Sequence, residues 1–97
     1  MLEFCKKYFI HLNEDNIRYC HWKSNEHLDA ALNGKTDIDI LVHPGDRERF
    51  EESLRLFDIK EILSPASKQF PGLQDYLGFD HNTGEFIHLH VHYRLVL

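Results

Sequence analysis

The sequence predicts an α+β fold in which helices pack on a mixed sheet. Apolar residues recur at helical spacing in the first half of the chain, and a β-branched run lies between two of these segments. The last third contains two strand-like segments joined by a four-residue turn that ends in Gly84. Hairpin strands pair antiparallel, whereas strands separated by helices tend to pair in parallel, so we expect both kinds of pairing. The predicted order is α-β-α-β-α-β-β-β, and 97 residues fit a single domain.

Three helices are predicted, over 2–13, over 25–33 and from the N-cap residue Asp46 to about Asp58. Ser24 and Gly34 supply the N-cap and the residue after the C-terminus of the second helix. The positions expected to be buried are Leu2, Cys5, Phe9 and Leu12 in the first helix and Phe50, Leu54 and Phe57 in the third.

Five strands complete the prediction. Their expected ranges are 17–22, 37–43, 59–63, 75–80 and 85–95. The segment 64–72, which holds prolines, serines and a glycine, is predicted to be a loop.

Composition and charge exclude several classes of protein. The formal net charge of −5 argues against a nucleic-acid partner bound through phosphate neutralisation. No apolar run approaches the length of a membrane span, and the N-terminus lacks a signal-peptide pattern, so no membrane partner is expected. Cys5 and Cys20 are too few for a disulfide framework and are interpreted as small buried apolar groups. We therefore expect a reduced, cytoplasmic setting.

Two aspartates open the predicted strand 37–43. Alternation along a strand puts Asp37 and Asp39 on one face and the apolar residues between and after them on the other. Paired carboxylates suit a hard divalent cation such as Mg²⁺ or Mn²⁺. Taken alone, the pair is better explained as a solvated strand end near a turn.

Three histidines alternate along the last predicted strand. His88, His90 and His92 share one face, and the apolar residues between them occupy the other. Imidazoles ligate Mn²⁺ and Zn²⁺ better than Mg²⁺. A structural zinc site is the less favoured interpretation, because no cysteine or glutamate lies at ligand spacing.

These features resemble the nucleotidyltransferase superfamily of the DNA polymerase β type. Members carry a Gly-Ser pair, an Asp-x-Asp about a dozen residues later and a third carboxylate on a later strand. Ser24 matches the serine, and Asp37 follows it by 13 positions. The stretches 22–24 and 90–94 are especially similar to uncharacterised bacterial nucleotidyltransferase-like proteins. The resemblance covers nearly the whole chain. It therefore implies that residues 1–97 form a single nucleotidyltransferase-like domain.

The resemblance implies transfer of a nucleoside monophosphate from a nucleoside triphosphate, expected to be ATP, to a hydroxyl group. Asp37 and Asp39 would hold Mg²⁺ or Mn²⁺, and Ser24 would meet the phosphate. Lys68, in the predicted loop, could reach the triphosphate. The acceptor is left open between a small molecule and a protein hydroxyl.

Two residues depart from the family pattern. Lys23 stands in place of the glycine, and its ammonium could pair with the phosphate directly. His90 stands at the third carboxylate position, which leaves open a softer metal, a general-base histidine or no turnover. The alternative function is a catalytically degenerate nucleotide-binding or regulatory module fused to a partner domain. Because residues 93–97 are still apolar, we expect a fragment or N-terminal domain of a longer protein.

Overall fold

The structure, a computed structural model, describes residues 1–21, 30, 32–33, 37–63 and 72–93. The elements are α1 (Glu3–Glu14), β1 (Tyr19–His21), β2 (Ile38–Val42), α2 (Arg47–Leu56), β3 (Lys60–Ile62), β4 (Leu73–Asp80) and β5 (Glu85–His92). A 3₁₀ turn, Pro44–Asp46, leads into α2. Of the helix predicted over 25–33, only Ala30, Leu32 and Asn33 are described, and the first two are helical. The predicted loop 64–72 lies outside the described residues except for Gly72.

The described strands form one five-stranded mixed sheet in the order β1-β2-β5-β4-β3. β2 pairs in parallel with β5, and the other three pairings are antiparallel. The prediction of an α+β fold with a mixed sheet is confirmed. β5 lies in the centre of the sheet, so its side chains have neighbours on both β2 and β4.

The helices cover one face of the sheet. Alternate residues of the two central strands point into the core beneath the helices and are almost fully buried; they are Ile38, Ile40, Val42, Ile87, Leu89 and Val91. The Tyr8 hydroxyl of α1 hydrogen-bonds Ser53 of α2 at 2.9 Å, which ties the two helices together above the sheet. Every helix position predicted to be buried belongs to this core or packs against it. The predicted inward stripes are therefore confirmed.

The N-terminus of α1 is capped from the sheet. The carboxylate of Asp80, in β4, accepts the backbone N–H of Phe4 at 3.0 Å. The same side chain accepts the N–H and the hydroxyl of Thr83 at 2.9 and 2.7 Å. These bonds satisfy a first-turn N–H of α1 and hold the hairpin turn. They also keep the pKa of Asp80 below its usual range, with the Thr83 side chain as the largest cause.

Two predictions of local structure are wrong. Asp46 is the residue before α2, but its carboxylate bonds Arg18 and Arg49 instead of the helix N–H groups. It accepts the Arg18 backbone N–H at 2.8 Å as well, so it joins the residue before β1 to α2. The hydrogen bond from the Arg18 side chain is the largest cause of its lowered pKa. Cys20 is exposed, not buried, because its side chain leaves the short edge strand β1 on the face that the helices do not cover.

Candidate metal centre

Six ionisable side chains from three neighbouring strands gather on the face of the sheet opposite the helices. One directly precedes β2 and the others lie in β2, β4 and β5; in chain order they are Asp37, Asp39, Asp75, His88, His90 and His92. Alternation along each strand puts them on the same face, because the residues that alternate with them point into the core on the other face. We call these six residues the Asp/His cluster.

His90 lies at the middle of the Asp/His cluster. In the sheet register it pairs with Asp39 of β2 on one side and with Asp75 of β4 on the other. Its Nδ1 is 3.6 Å from Asp39 Oδ1, and its Nε2 is 3.3 Å from both Asp75 Oδ1 and Asp37 Oδ2. One imidazole thus faces three carboxylates.

The two outer imidazoles extend the same pattern. His88 Nδ1 is 3.1 Å from Asp37 Oδ1, and His88 Nε2 is 3.5 Å from Asp75 Oδ1. His92 Nε2 is 3.5 Å from Asp39 Oδ1. Every carboxylate of the cluster therefore lies within 3.6 Å of at least one imidazole nitrogen.

The cluster is rich in negative charge and partly shielded from water. With neutral imidazoles it carries three formal negative charges, and a neutral imidazole donates from only one of its two nitrogens. The side chains of Asp39, Asp75 and His90 are only 23%, 22% and 27% exposed. Closely spaced carboxylates in partly shielded surroundings attract a cation.

The donor geometry fits a divalent ion. Asp37, His88 and His90 each offer one ligand atom, and the three atoms lie within 4.8 Å of one another. An ion at the centre of such a triangle can reach all three atoms at coordination distance with small side-chain adjustments. Carboxylate oxygens suit Mg²⁺ and Mn²⁺, and imidazole nitrogens shift the preference toward Mn²⁺ and Zn²⁺.

The structure brings together the predicted site residues that it describes. Asp37, Asp39 and His90 share one cluster, although His90 is about fifty residues from the two aspartates in the chain. The other predicted site residues, Lys23, Ser24 and Lys68, lie outside the described residues.

Sequence reasoning missed Asp75. A signal was present, because the four-residue turn 81–84 pairs Asp80 with Glu85 and this register carries Asp75 opposite His90. Asp75 and Asp80 are an odd number of residues apart in β4, so their side chains are expected to point to opposite faces of the sheet. Counting the hairpin register would have added a third carboxylate to the predicted pair.

Comparison of the chain with family models, with curated proteins and with solved structures finds no match. Among the helices of the described residues, none has the length and apolar character needed to cross a membrane.

Proposed function

We propose that this chain is a metal-dependent nucleotidyltransferase domain that transfers a nucleoside monophosphate from a nucleoside triphosphate to a hydroxyl acceptor. The observation that carries the proposal is the row formed by Asp39, His90 and Asp75 across three adjacent strands. Together with Asp37, this row places three carboxylates close to the imidazole of His90, which is the kind of acidic surface that metal-dependent phosphoryl transfer uses.

The proposed topology is that of the nucleotidyltransferase superfamily. In support, the strand that follows the Asp-x-Asp motif lies in parallel beside the strand that carries His90, and the helices occupy the other face. The aspartate pair and the imidazole thus stand on an open surface that a substrate can approach. Asp75 lies in register beside His90 and supplies a third carboxylate from a neighbouring strand.

In the proposed site, Asp37, His88 and His90 would hold Mn²⁺ or Mg²⁺. Such an ion would neutralise charge on the phosphates and lower the pKa of a bound hydroxyl. The acceptor oxygen forms a bond to the α-phosphorus, the bond from that phosphorus to the bridging oxygen breaks, and pyrophosphate leaves. The hydroxyl proton passes to His92, whose Nε2 lies 3.5 Å from Asp39 Oδ1.

Isothermal titration tests the proposal. We expect Mn²⁺ to bind, and ATP to bind more tightly when Mn²⁺ is present. In the double variant Asp37→Asn/Asp39→Asn, both heats should disappear, because the carboxylate charge is lost while side-chain shape is kept. Asp58→Asn is the matched control, since Asp58 is an exposed aspartate paired with Lys60 on another surface. Equal heats from the double variant and the wild type would refute the proposal.

A catalytically degenerate nucleotide-binding or regulatory module is the second candidate. It is favoured by the imidazole of His90 at the centre of the row, where the resemblance predicts a carboxylate. The two candidates differ in pyrophosphate release from Mn²⁺ and ATP with hydroxyl acceptors. Binding of nucleotide without release for any acceptor in a broad panel would support the regulatory module.

A further inference from the structure

We infer that an apolar groove beside the Asp/His cluster binds the acceptor, and that the acceptor is a small hydroxyl compound with an apolar body. This inference rests on the proposed function and names the acceptor class for that site. The groove has a volume of about 500 Å³. Most of its lining is apolar and comes from Tyr19, Cys20, Leu41, Val42, Pro44 and Tyr93.

The groove continues the surface of the cluster. Leu41 follows Asp39 by two residues on the same face of β2, a step of about 6.6 Å along a strand. It also pairs in register with His92 on one side and with Cys20 on the other. A molecule that lies on Leu41 and Cys20 therefore has one end beside His92 and Asp39, where the hydroxyl reacts.

The lining selects the chemistry of the occupant. A sugar or a polycation would lose hydration against apolar walls without gaining hydrogen bonds, whereas an aromatic or aliphatic body gains from burial. Two polar groups stand at the rim. Arg18 is 61% exposed, and His43 Nδ1 accepts the Gly45 N–H at 3.0 Å, so in the neutral ring Nε2 carries the proton and can donate. The volume is within the range of small-molecule sites, about 300–1,000 Å³.

The order of the chain assigns the groove to the acceptor instead of the nucleotide. The serine predicted to meet the phosphate comes after the end of β1, whereas the groove is lined by residues from the beginning of that strand. In the proposed reaction, the hydroxyl oxygen of the groove-bound compound attacks the α-phosphorus from this side. Its proton passes to His92, and pyrophosphate leaves from the opposite side.

Cys20 is a built-in reporter for the groove, because its exposed thiol is part of the lining. The only other cysteine, Cys5, is buried, and burial raises the pKa of its thiol to about 11, so it reacts slowly in the folded protein. The rate of alkylation of Cys20 by N-ethylmaleimide, followed by mass spectrometry, therefore measures access to the groove.

The test compares three additions to the Mn²⁺-loaded protein. We expect 2-naphthol, an apolar hydroxyl compound, to slow Cys20 alkylation several-fold, and glycerol to leave the rate unchanged. ATP alone should also leave the rate unchanged. Protection by ATP alone would place the nucleoside in the groove and overturn the inference. Equal rates with and without 2-naphthol would also overturn it.

Two substitutions test whether the protection of Cys20 arises from binding in the groove. Leu41→Asp puts a charge in the groove and should abolish protection by 2-naphthol, whereas Phe86→Asp makes the same change at an exposed apolar residue on β5 and should preserve it. If Leu41→Asp does not fold, Cys20→Trp fills the groove from an exposed edge position and should weaken 2-naphthol binding measured by calorimetry. Unchanged 2-naphthol binding in Cys20→Trp would overturn the inference.

The two proposals fail separately. If 2-naphthol does not protect Cys20 but Mn²⁺ and ATP still bind, only the inference about the acceptor fails and the nucleotidyltransferase proposal stands. Absence of Mn²⁺-dependent ATP binding removes the proposed function, whatever the behaviour of Cys20.

Discussion

The two aspartates of β4 have opposite environments. Asp80 points to the helix-covered face, where one backbone N–H of α1 and two donors of Thr83 satisfy its carboxylate. Asp75 points to the open face, where its Oδ1 lies 3.3 Å from His90 and 3.5 Å from His88. Strand alternation separates them, because they are an odd number of residues apart.

This difference shows how the fold divides its polar groups between stability and chemistry. Asp80 is held by donors from the chain itself, so its role is to connect α1 and the hairpin turn to the sheet. Asp75 Oδ1 lies beside two imidazoles that could ligate a metal ion, so a bound ion can change its surroundings. We therefore expect substitutions on the helix-covered face to alter folding stability and those on the open face to alter ligand binding.

The largest effect on stability is expected from Ile40→Ala. Ile40 is fully buried beneath the helices, and removal of its side chain leaves a cavity. The free energy of unfolding should fall by about 2–5 kcal/mol, as measured by urea denaturation. Phe86→Ala is the control on the open face, because Phe86 is 60% exposed and its removal should change stability little. Equal losses in the two variants would contradict the division between faces.

The next effect concerns the open face. Mn²⁺ at a hundred times its dissociation constant should stabilise the wild type by about 2.7 kcal/mol. His88→Ala/His90→Ala removes two of the three proposed ligands, so this metal-dependent rise in Tm should disappear, with little loss of stability in the absence of metal. Differential scanning calorimetry with and without Mn²⁺ provides the measurement. A full Mn²⁺-dependent rise in the double variant would show that the ion binds elsewhere.

A smaller loss of stability is expected from Gly78→Ala. A Cβ at this position of β4 would meet the Phe4 ring of α1 at 2.8 Å, so this buried contact must rearrange, by movement of the ring or of the helix that carries it. We expect a loss of about 1–3 kcal/mol in denaturant unfolding. Phe4→Leu frees space at the same contact, so the double variant should lose less than the sum of the single changes. Strict additivity would show that the Phe4 contact does not limit this position.

The smallest expected effect is a dependence of Tm on acidic pH that arises from Asp80. Because the folded-state pKa of Asp80 is lowered, its stabilising contribution is complete above the unfolded pKa, about 3.9, and is lost as the pH falls through the folded value. Between pH 5 and pH 2, the Tm of the wild type should therefore fall more steeply than that of Asp80→Asn. Asp75→Asn, which keeps the Asp80 carboxylate, should retain the steeper slope. Parallel curves for wild type and Asp80→Asn would contradict this role.

Much of the fold follows from periodicity along the chain. Alternation in β2 and β5 predicts which residues enter the core and which remain on the open face, and the structure confirms both sets. The caps were harder to predict, because their partners are distant in sequence. Asp46 has the residue type and position of an N-cap, yet Arg18, just before β1, and Arg49 of α2 are stronger partners for its carboxylate. The first turn of α1 is capped by a residue 76 positions away.

The sequence by itself determined which side chains share a strand face, since the two-residue repeat of an extended backbone fixes that locally. It therefore predicted that Asp37 and Asp39 share one face of their strand and that the three imidazoles of β5 share one face of theirs. Tertiary structure alone decided that these two groups lie side by side on the same face of the sheet, because the parallel pairing of β2 with β5 joins segments about fifty residues apart. The separations of 3.1–3.6 Å between their nitrogens and oxygens arise from that pairing, which no local pattern encodes.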